Sequence, residues 1–272
     1  QDGISPAWPL GYDAFEPYYT EAEALFHVHG QRGEDPNEPW CSAPFPYPPV
    51  AHEPRVQTLH DSLQGDGLHP FHLPMGILLD EVDGKVTPDS ICIRTPFFDG
   101  YPSPINGKAD AQVMCVGPAL KAHPNLTLLT GAYVSTLETD ASGKTVSAVN
   151  VTRGGEHERY SADIVVVACG ALSSALLLLR SANDRHPHGL ANGSDQVGRN
   201  YMRHNQSILM AMLREPNDTV FQKTLAVSDW YFGSDDWEYP LGLMQMCAKS
   251  HGAQIRGEAL PSWLEWLPKM PF

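Results

Sequence analysis

The alternation of apolar and polar positions is most regular between residues 126 and 168, where it predicts β-strands. Turns that contain glycine separate the strands, and the turn at 140–143 gives the two middle strands the pattern of a hairpin. The last strand ends in the apolar run 164–168, which is too continuous for a strand with one solvated face. We therefore expect a central strand that is buried on both faces. The predicted strands are 126–129, 132–138, 145–152 and 158–168.

Helical periodicity predicts a first helix that starts after a cap at Asp13. The proline-rich stretch 34–54 is expected to be an ordered irregular loop, because proline interrupts both helices and sheets. The side of the first helix that should be buried consists of Phe15, Tyr18, Tyr19, Ala22 and Phe26. The further predicted helices are 53–64, 108–123 and 172–181.

A turn of small residues at 169–171 joins the fourth strand to the helix at 172–181, and two more strands are predicted at 207–213 and 241–248. This order of elements predicts a mixed α/β fold, in which one buried parallel strand meets a larger antiparallel sheet. The 272 residues suffice for one large domain or two modest ones. No run approaches the roughly 20 apolar residues that span a membrane, and a hydrophobic content of 42% excludes a disordered chain.

The net charge of −14 argues against a nucleic acid partner, because such partners attract clustered lysine and arginine. The five cysteines include no C-x-x-C pair, so neither a disulfide framework nor a metal site is expected. Four of them lie in apolar runs and are expected to be buried free thiols: Cys92, Cys115, Cys169 and Cys247. The histidines lack metal-ligand spacing and are expected to be solvated or capping. A reducing compartment fits these thiols, and both a cytoplasmic and a periplasmic location stay open.

The strand-to-helix turn is the first candidate for chemistry. Its small residues Ala168, Gly170 and Ala171 allow a cofactor to approach the backbone closely. The start of the following helix offers free N–H groups and the positive end of the helix dipole, which suit pyrophosphate or ribose oxygens. Ser173 and Ser174 add hydroxyl groups in the first helical turn. The alternative is a turn of small residues that serves packing alone.

A family resemblance supports the cofactor interpretation. The run ADIVVVACGALSSALLLLRS at 162–181 is similar to the second signature of the glucose-methanol-choline (GMC) flavoprotein oxidoreductases. The segments 189–192 and 197–204 resemble the continuation of that signature, and 125–134 resembles the strand pair upstream of it. Further matching blocks are 8–10 with 17–19 and 22–23, and 99–102 with 108–111. These ordered blocks cover nearly the whole chain.

The resemblance implies an FAD cofactor and a division of the chain into parts of two domains. Part of a Rossmann-like FAD-binding domain is expected at 85–204. Parts of an antiparallel-sheet substrate domain are expected at 1–84, with a surface wrap, and at 205–272. The backbone of Val134 is implied to bond the adenine. The residues implied to lie against the cofactor at the turn are Ala168, Cys169, Gly170, Ala171 and Ser174.

The segments 224–231 and 239–245 are similar to the sugar-oxidising branch of the family, which includes pyranose oxidases and glycoside and gluconate dehydrogenases. In that branch a glutamine on the corresponding strand faces the substrate, so Gln245 is the candidate substrate residue. The apolar surroundings of Gln245 in the sequence predict a buried amide, which needs partners. A structural hydrogen bond within the sheet is an equally good interpretation.

The chain departs from the family pattern in several respects. Ala175 and Ala182 replace the usual Pro or Ser and Gly, which are mild changes. No G-x-G-x-x-G follows a predicted strand, and nothing matches the family's catalytic histidine segment. The chain is therefore expected to be the middle of a family member, with no catalytic residue of its own. The phosphate-binding fingerprint and the histidine would come from missing segments or from a companion chain.

The function that the resemblance implies is hydride transfer from a CH–OH group of a sugar or alcohol substrate to FAD. A histidine outside this chain would take the hydroxyl proton. The competing hypothesis is a non-catalytic remnant or subunit of the same fold that acts as a binding or assembly module. A third possibility is an α/β protein that binds a different nucleotide. The electron acceptor and the oxidised carbon stay open.

Overall fold

A computed structural model describes residues 8–82, 85–86, 90–94, 98–209 and 214–249. The described residues divide into two compact units, one formed by residues up to Pro124 and from 214 onward, the other beginning at Asn125 and ending at 209. The mixture of helices and antiparallel sheets confirms the predicted α/β class. Within the described ranges, no helix combines the length and the apolar character needed to cross a membrane.

The described strands outside the second unit are only two or three residues long. The helices are α1 (Glu16–Leu25), α2 (Pro54–Gly65), α3 (Ile91–Arg94), α4 (Gly117–Ala122) and α5 (Gly170–Arg180), with a 3-10 turn at Tyr12–Ala14 and a π-helix at Gln112–Val116. The strands are β1 (Val28–His29), β2 (Pro70–His72), β3 (Met75–Gly76), β4 (Glu81–Val82), β5 (Lys85–Val86), β6 (Ala132–Thr139), β7 (Val146–Arg153), β8 (Glu156–Tyr160), β9 (Leu225–Val227) and β10 (Met244–Gln245).

The described part of the first unit contains three small antiparallel sheets. The central one has the order β10-β9-β2, so that β9 pairs with both neighbours. β1 pairs with β3, and β4 pairs with β5. The core behind these sheets includes Phe71, Ile77 and Ala226, together with Phe98 and Phe221, whose rings meet edge to face at 4.9 Å.

The proline-rich stretch 34–54 is irregular, as predicted, and buried or half-buried carboxylates hold the chain on either side of it. Glu16 at the start of α1 is 2% exposed and accepts hydrogen bonds from the Ser42 N–H and hydroxyl, both at 2.7 Å. These bonds keep the pKa of Glu16 below its ordinary value of 4.5. Glu53 accepts the N–H groups of Val220 and Phe221 at 2.9 and 2.7 Å. In this region carboxylate oxygens therefore accept the backbone N–H groups that a neighbouring strand would accept in a sheet.

The predicted buried side of the first helix is only partly borne out, since Phe15, Ala22 and Phe26 are half-buried. Helix α1 begins after Phe15 rather than after a side-chain cap at Asp13, whose carboxylate instead accepts the indole N–H of Trp40. Tyr18 and Tyr19 are 69% and 53% exposed. The buried position of this helix is the charged Glu16, because its hydrogen bonds compensate the loss of hydration that burial imposes on a carboxylate.

The helix predicted at 108–123 is not one continuous α-helix. A π-helix at Gln112–Val116 precedes the short helix α4, in which Pro118 occupies the first turn. Because proline has no N–H and its ring disfavours an ordinary helical turn before it, a wider turn accommodates the ring there. The helix predicted at 53–64 is confirmed as α2.

The second unit contains the predicted hairpin. Strands β6, β7 and β8 form an antiparallel sheet in sequence order. Helix α5 packs on β6 and contributes Leu177 to a core that also contains the buried Leu137 and Leu190. The Ser181 hydroxyl at the end of α5 accepts the N–H of Leu137 at 2.8 Å, which fixes the helix to the strand.

The fully buried strand predicted to end at 168 is not observed. β8 ends at Tyr160, and residues 161–168 form no ladder with any strand that the structure describes. Val165 and Val167 pack against the core, whereas Ile164 and Val166 are 81% and 78% exposed. Only one side of this extended segment has a packing partner, which is why alternate side chains remain in solvent. The strand predicted at 126–129 is likewise an exposed segment without a ladder in the described part of the chain.

The strands predicted near the end of the chain are shorter than expected. The prediction at 241–248 is reduced to β10, and residues 207–209 are not in a strand, while 210–213 lie outside the described residues. The five cysteines are free. Cys92 is buried as expected, but Cys169 and Cys247 are exposed and Cys115 is only half-buried.

Two leucines of α5 should differ in how much they stabilise the protein, because Leu177 lies in the core of the second unit and Leu172 does not. Leu177→Ala should lower the free energy of unfolding by about 3 kcal/mol, because Leu177 is 6% exposed and its removal leaves a cavity. Leu172→Ala, at a position that is 58% exposed, should change it by less than about 0.5 kcal/mol. Urea denaturation followed by circular dichroism measures both, and equal effects would contradict this packing.

Candidate functional site

The candidate cofactor turn lies at the exposed start of α5. Cys169 is the N-cap residue, and Gly170 follows with a φ of +78°. Side chains other than glycine rarely adopt this backbone conformation, so the turn itself requires glycine at 170. No described atom lies within 4 Å of the position that a Cβ would take at this residue. The turn is therefore accessible and not closed by packing.

Ser174 organises the turn from inside the helix. Its hydroxyl accepts the N–H of Cys169 at 3.0 Å, and Ser174 is half-buried. The N-cap side chain makes no capping bond. The N–H groups of Gly170 and Ala171 have no acceptor within the helix, because the first N–H groups of a helix lie ahead of its own carbonyl ladder. Exposed N–H groups at the positive end of a helix dipole are suited to an anionic oxygen.

Val134 lies on β6 and belongs to the same core as α5. It is half-buried, pairs with Val151 of β7 and packs against the cluster that contains Leu177. The register shifts between Val134 and Thr136, so Ser135 is an extra residue that forms a β-bulge. A bulge leaves part of the local ladder unpaired and is frequent next to binding sites. Both parts of the predicted cofactor site, the adenine strand and the turn, are thus in the second unit.

The structure does not bear out the expected burial of Gln245. This residue lies on β10, pairs with Ala226 of β9 and is exposed. Its amide has no hydrogen-bond partner among the described residues, so the alternative of a structural bond within the sheet is not supported by the described contacts. Gln245 belongs to the first unit, whereas Val134 and the turn belong to the second.

Two cavities of the described structure do not contain the predicted site residues. A cavity of about 450 Å³ in the second unit lies between β6 and the C-terminal end of α5, and Arg180, Asp184 and Arg185 are among its lining residues. A cavity of about 430 Å³ in the first unit is lined by the C-terminal end of α2, together with Glu34, His60 and His69. The candidate turn is an open surface and is separate from both.

Sequence reasoning missed a group of histidines in the first unit. His52, His60 and His72 bring their rings together, with centroid distances from His52 of 5.4 Å to His60 and 4.1 Å to His72. Burial, followed by the charges of the two neighbouring histidines, lowers the pKa of His52 to about 4. The described residues contain no group of three or more potential ligands that could hold a metal ion. No local sequence signal marks this group, because the three residues meet only in the folded chain.

Comparison with known proteins gives the family of the matched region. Residues 84–206 match the family model described as GMC oxidoreductase. The chain is 33% identical to 6'''-hydroxyparomomycin C oxidase from Streptomyces lividus, over 73% of this chain and 35% of that protein. It is 29% identical to paromamine 6'-oxidase from Streptomyces fradiae, over 97% of this chain and 48% of that protein. It is also 29% identical to the fructose dehydrogenase large subunit from Gluconobacter japonicus, over 74% of this chain and 36% of that protein.

These matches confirm the predicted resemblance, and they include the turn and Val134 within the matched region. Gln245 lies beyond its end. The chain spans between 35% and 48% of the length of these three relatives. The matched relatives are named as oxidases and dehydrogenases, and the compounds in their names include fructose and 2-methyl-1,2-propanediol.

The organising role of Ser174 is open to a direct test. Ser174→Ala removes the acceptor of the Cys169 N–H and should lower the free energy of unfolding by about 1 kcal/mol. Ser173→Ala is the matched control, since Ser173 is exposed and its hydroxyl bonds none of the described residues. Thermal unfolding of both variants measures the difference. Equal midpoints would show that the bond to Cys169 does not stabilise the turn.

Proposed function

Because this chain belongs to the GMC oxidoreductase family through its residues 84–206, we propose that the protein containing it is an FAD-dependent oxidoreductase. The proposed reaction oxidises a CH–OH group of a sugar or alcohol. The observation that carries the proposal is the exposed, uncapped start of α5 after the positive-φ residue Gly170, inside the matched region. The same core joins this turn to the bulged strand that holds Val134.

The residues of the turn fit the dinucleotide part of such a cofactor. The N–H groups of Gly170 and Ala171 would bond anionic oxygens, and the helix dipole would favour the negative charge. The absence of a side chain at Gly170 leaves the backbone open on that side. Ala168 and Cys169 are exposed beside it, so neither side chain screens the turn. Ser174 holds the N–H of Cys169 and so sets the direction of the turn.

Val134 is the proposed contact for the adenine ring. The bulge at Ser135 frees backbone groups beside Val134 from regular pairing, and a purine edge needs backbone donors and acceptors of that kind. The half-buried Val134 side chain packs against the core, and β6 is an edge strand of the described sheet, so the side of β6 away from β7 pairs with no described strand. FAD supplies the hydride-accepting chemistry when it is bound. No residue of this chain is proposed as the proton acceptor.

The proposed substrate class is a sugar or alcohol, and Gln245 is the proposed contact in the substrate domain. Its exposed amide has one acceptor oxygen and a donor NH₂ group, which match the alternating donors and acceptors of a polyol. The relatives named as oxidases of paromamine and hydroxyparomomycin and as a fructose dehydrogenase support this class. We propose that residues outside this chain complete the site, whether in the same polypeptide or in a companion chain. A non-catalytic binding module is the outcome if no flavin is found.

The cofactor proposal is tested with two glycines of the same unit. Gly170→Val should remove most of the flavin absorbance near 450 nm, roughly its usual position in flavoproteins, because the turn would lose its accessible backbone. Gly155→Val is the control, since Gly155 has a φ of +88°, equally open surroundings and a place in the β7–β8 turn. Both variants carry the same type of backbone strain.

The comparison separates cofactor binding from stability. Loss of flavin in both variants, in proportion to lost folded protein, would assign the effect to strain. Full flavin content in Gly170→Val would overturn the proposed contact. A wild-type protein that is purified without flavin and takes up none on reconstitution would support the binding-module alternative instead.

The substrate proposal predicts a separation of kinetic constants. Gln245→Leu should raise the KM for the substrate by about tenfold, the effect of losing one hydrogen bond, with unchanged flavin content. Met244→Leu is the control, because neighbouring residues of a strand point to opposite faces. The measurement is steady-state kinetics with sugar and alcohol substrates. Equal KM values in both variants would remove Gln245 from the substrate site.

A further inference from the structure

The rings of His52, His60 and His72 form a cluster in the first unit that has no part in the proposed function. The rings of His52 and His72 stack at 4.1 Å with an angle of 5° between their planes. His60, from the middle of α2, lies at 5.4 Å from His52. His52 precedes α2 and His72 ends β2, so the stack connects the start of a helix to a sheet.

Hydrogen bonds fix both partners of the stack. Nδ1 of His52 lies 2.8 Å from the hydroxyl of Thr224, which is 1% exposed. Nδ1 of His72 lies 2.8 Å from the Glu34 carboxylate, which also accepts the backbone N–H of His72 at 2.9 Å. The other nitrogen of His52, Nε2, is buried and has no hydrogen-bond partner among the described residues.

This environment penalises a proton on His52. An imidazolium carries an N–H on both nitrogens, and the one at Nε2 would be buried without an acceptor. A charge on His52 would also face His72 from β2 and His60 from α2. The carboxylates of Glu34 and Asp61 oppose these effects but do not outweigh them, and the pKa of His52 is about 4 instead of 6.5.

The bond from His52 reaches the strand on which the central sheet is built. Thr224 immediately precedes β9, and its carbonyl accepts the N–H of Leu73 at 2.9 Å. β9 pairs with β2 on one side and with β10 on the other. A change at His52 therefore acts on the segment before α2 and on the whole three-stranded sheet.

We propose that the His52–His72 stack, with Thr224, is an acid-sensitive latch between the segment before α2 and the β10-β9-β2 sheet. Protonated His52 leaves the stack to hydrate its Nε2–H and releases the buried Thr224 hydroxyl. The direction of the pH dependence follows from the lowered pKa of His52. An open, solvated His52 takes up its proton near pH 6.5, and the closed latch resists protonation down to about pH 4. The latch is therefore fully stable above pH 6.5, weakens as the pH falls and levels off below about pH 4.

Hydrogen exchange of the whole protein, resolved by peptide, tests the latch. Between pH 7.5 and pH 4.5 the protection of peptides that cover residues 50–56, 70–73 and 222–228 should fall by about 50-fold, after correction for intrinsic rates. The double variant His52→Phe/Thr224→Val keeps an aromatic ring in the stack, removes the titrating imidazole of His52 and leaves no orphan hydroxyl at 224. In this variant the acid-dependent loss should be absent from the same peptides.

The control is His157→Phe, which removes an exposed histidine from β8 in the other unit and should leave the loss at the wild-type level. Equal losses in the double variant and in the wild-type protein would overturn the proposal. If the double variant does not fold, histidine NMR of the wild-type protein decides the question. A His52 midpoint near pH 4 supports the latch, and a midpoint above pH 6 overturns it. None of these outcomes depends on flavin or substrate.

Discussion

Carboxylate oxygens that accept hydrogen bonds hold the first unit together, where the chain has little regular secondary structure. The Glu16 carboxylate accepts the N–H of Ser42, and the Glu53 carboxylate accepts the N–H groups of Val220 and Phe221 from a loop distant in sequence. Asp99 binds the Lys223 ammonium and the Ala248 N–H, and so connects two further segments. At Glu16 these bonds lower the pKa, so the stabilisation they give is present above the ordinary value of 4.5 and is lost progressively as the pH falls from there through the lowered pKa.

The second unit is stabilised in a different way. Its hairpin and helix bury a core of leucines and valines, and antiparallel ladders pair its three strands. This regular frame holds the bulge beside Val134 and the positive-φ turn at Gly170 in one compact unit. The proposed dinucleotide site needs both contacts at a fixed separation, and a shared core would provide it.

Local patterns predicted the hairpin, α2 and α5, because alternation, turn residues and helical periodicity act over a few neighbouring positions. The same reasoning failed where a distant contact decides the outcome. Glu16 is buried because Ser42 reaches it, and the run 164–168 is half exposed because only one side meets the core. The bond between His52 and Thr224 joins residues 172 positions apart, which no local pattern could reveal. The turn at Gly170 could be predicted because glycine is the residue that allows a tight turn and close approach of a ligand to the backbone.

The exposed segment around Ile164 and Val166 has a consequence for handling the molecule. An extended apolar run with unpaired backbone groups is a template on which another chain can add a strand. Its composition, rich in valine and free of proline and lysine from 161 to 168, is also that of segments prone to cross-β association. This run is therefore a candidate site of self-association, and a single lysine at the exposed position 166 would be the simplest gatekeeper against it.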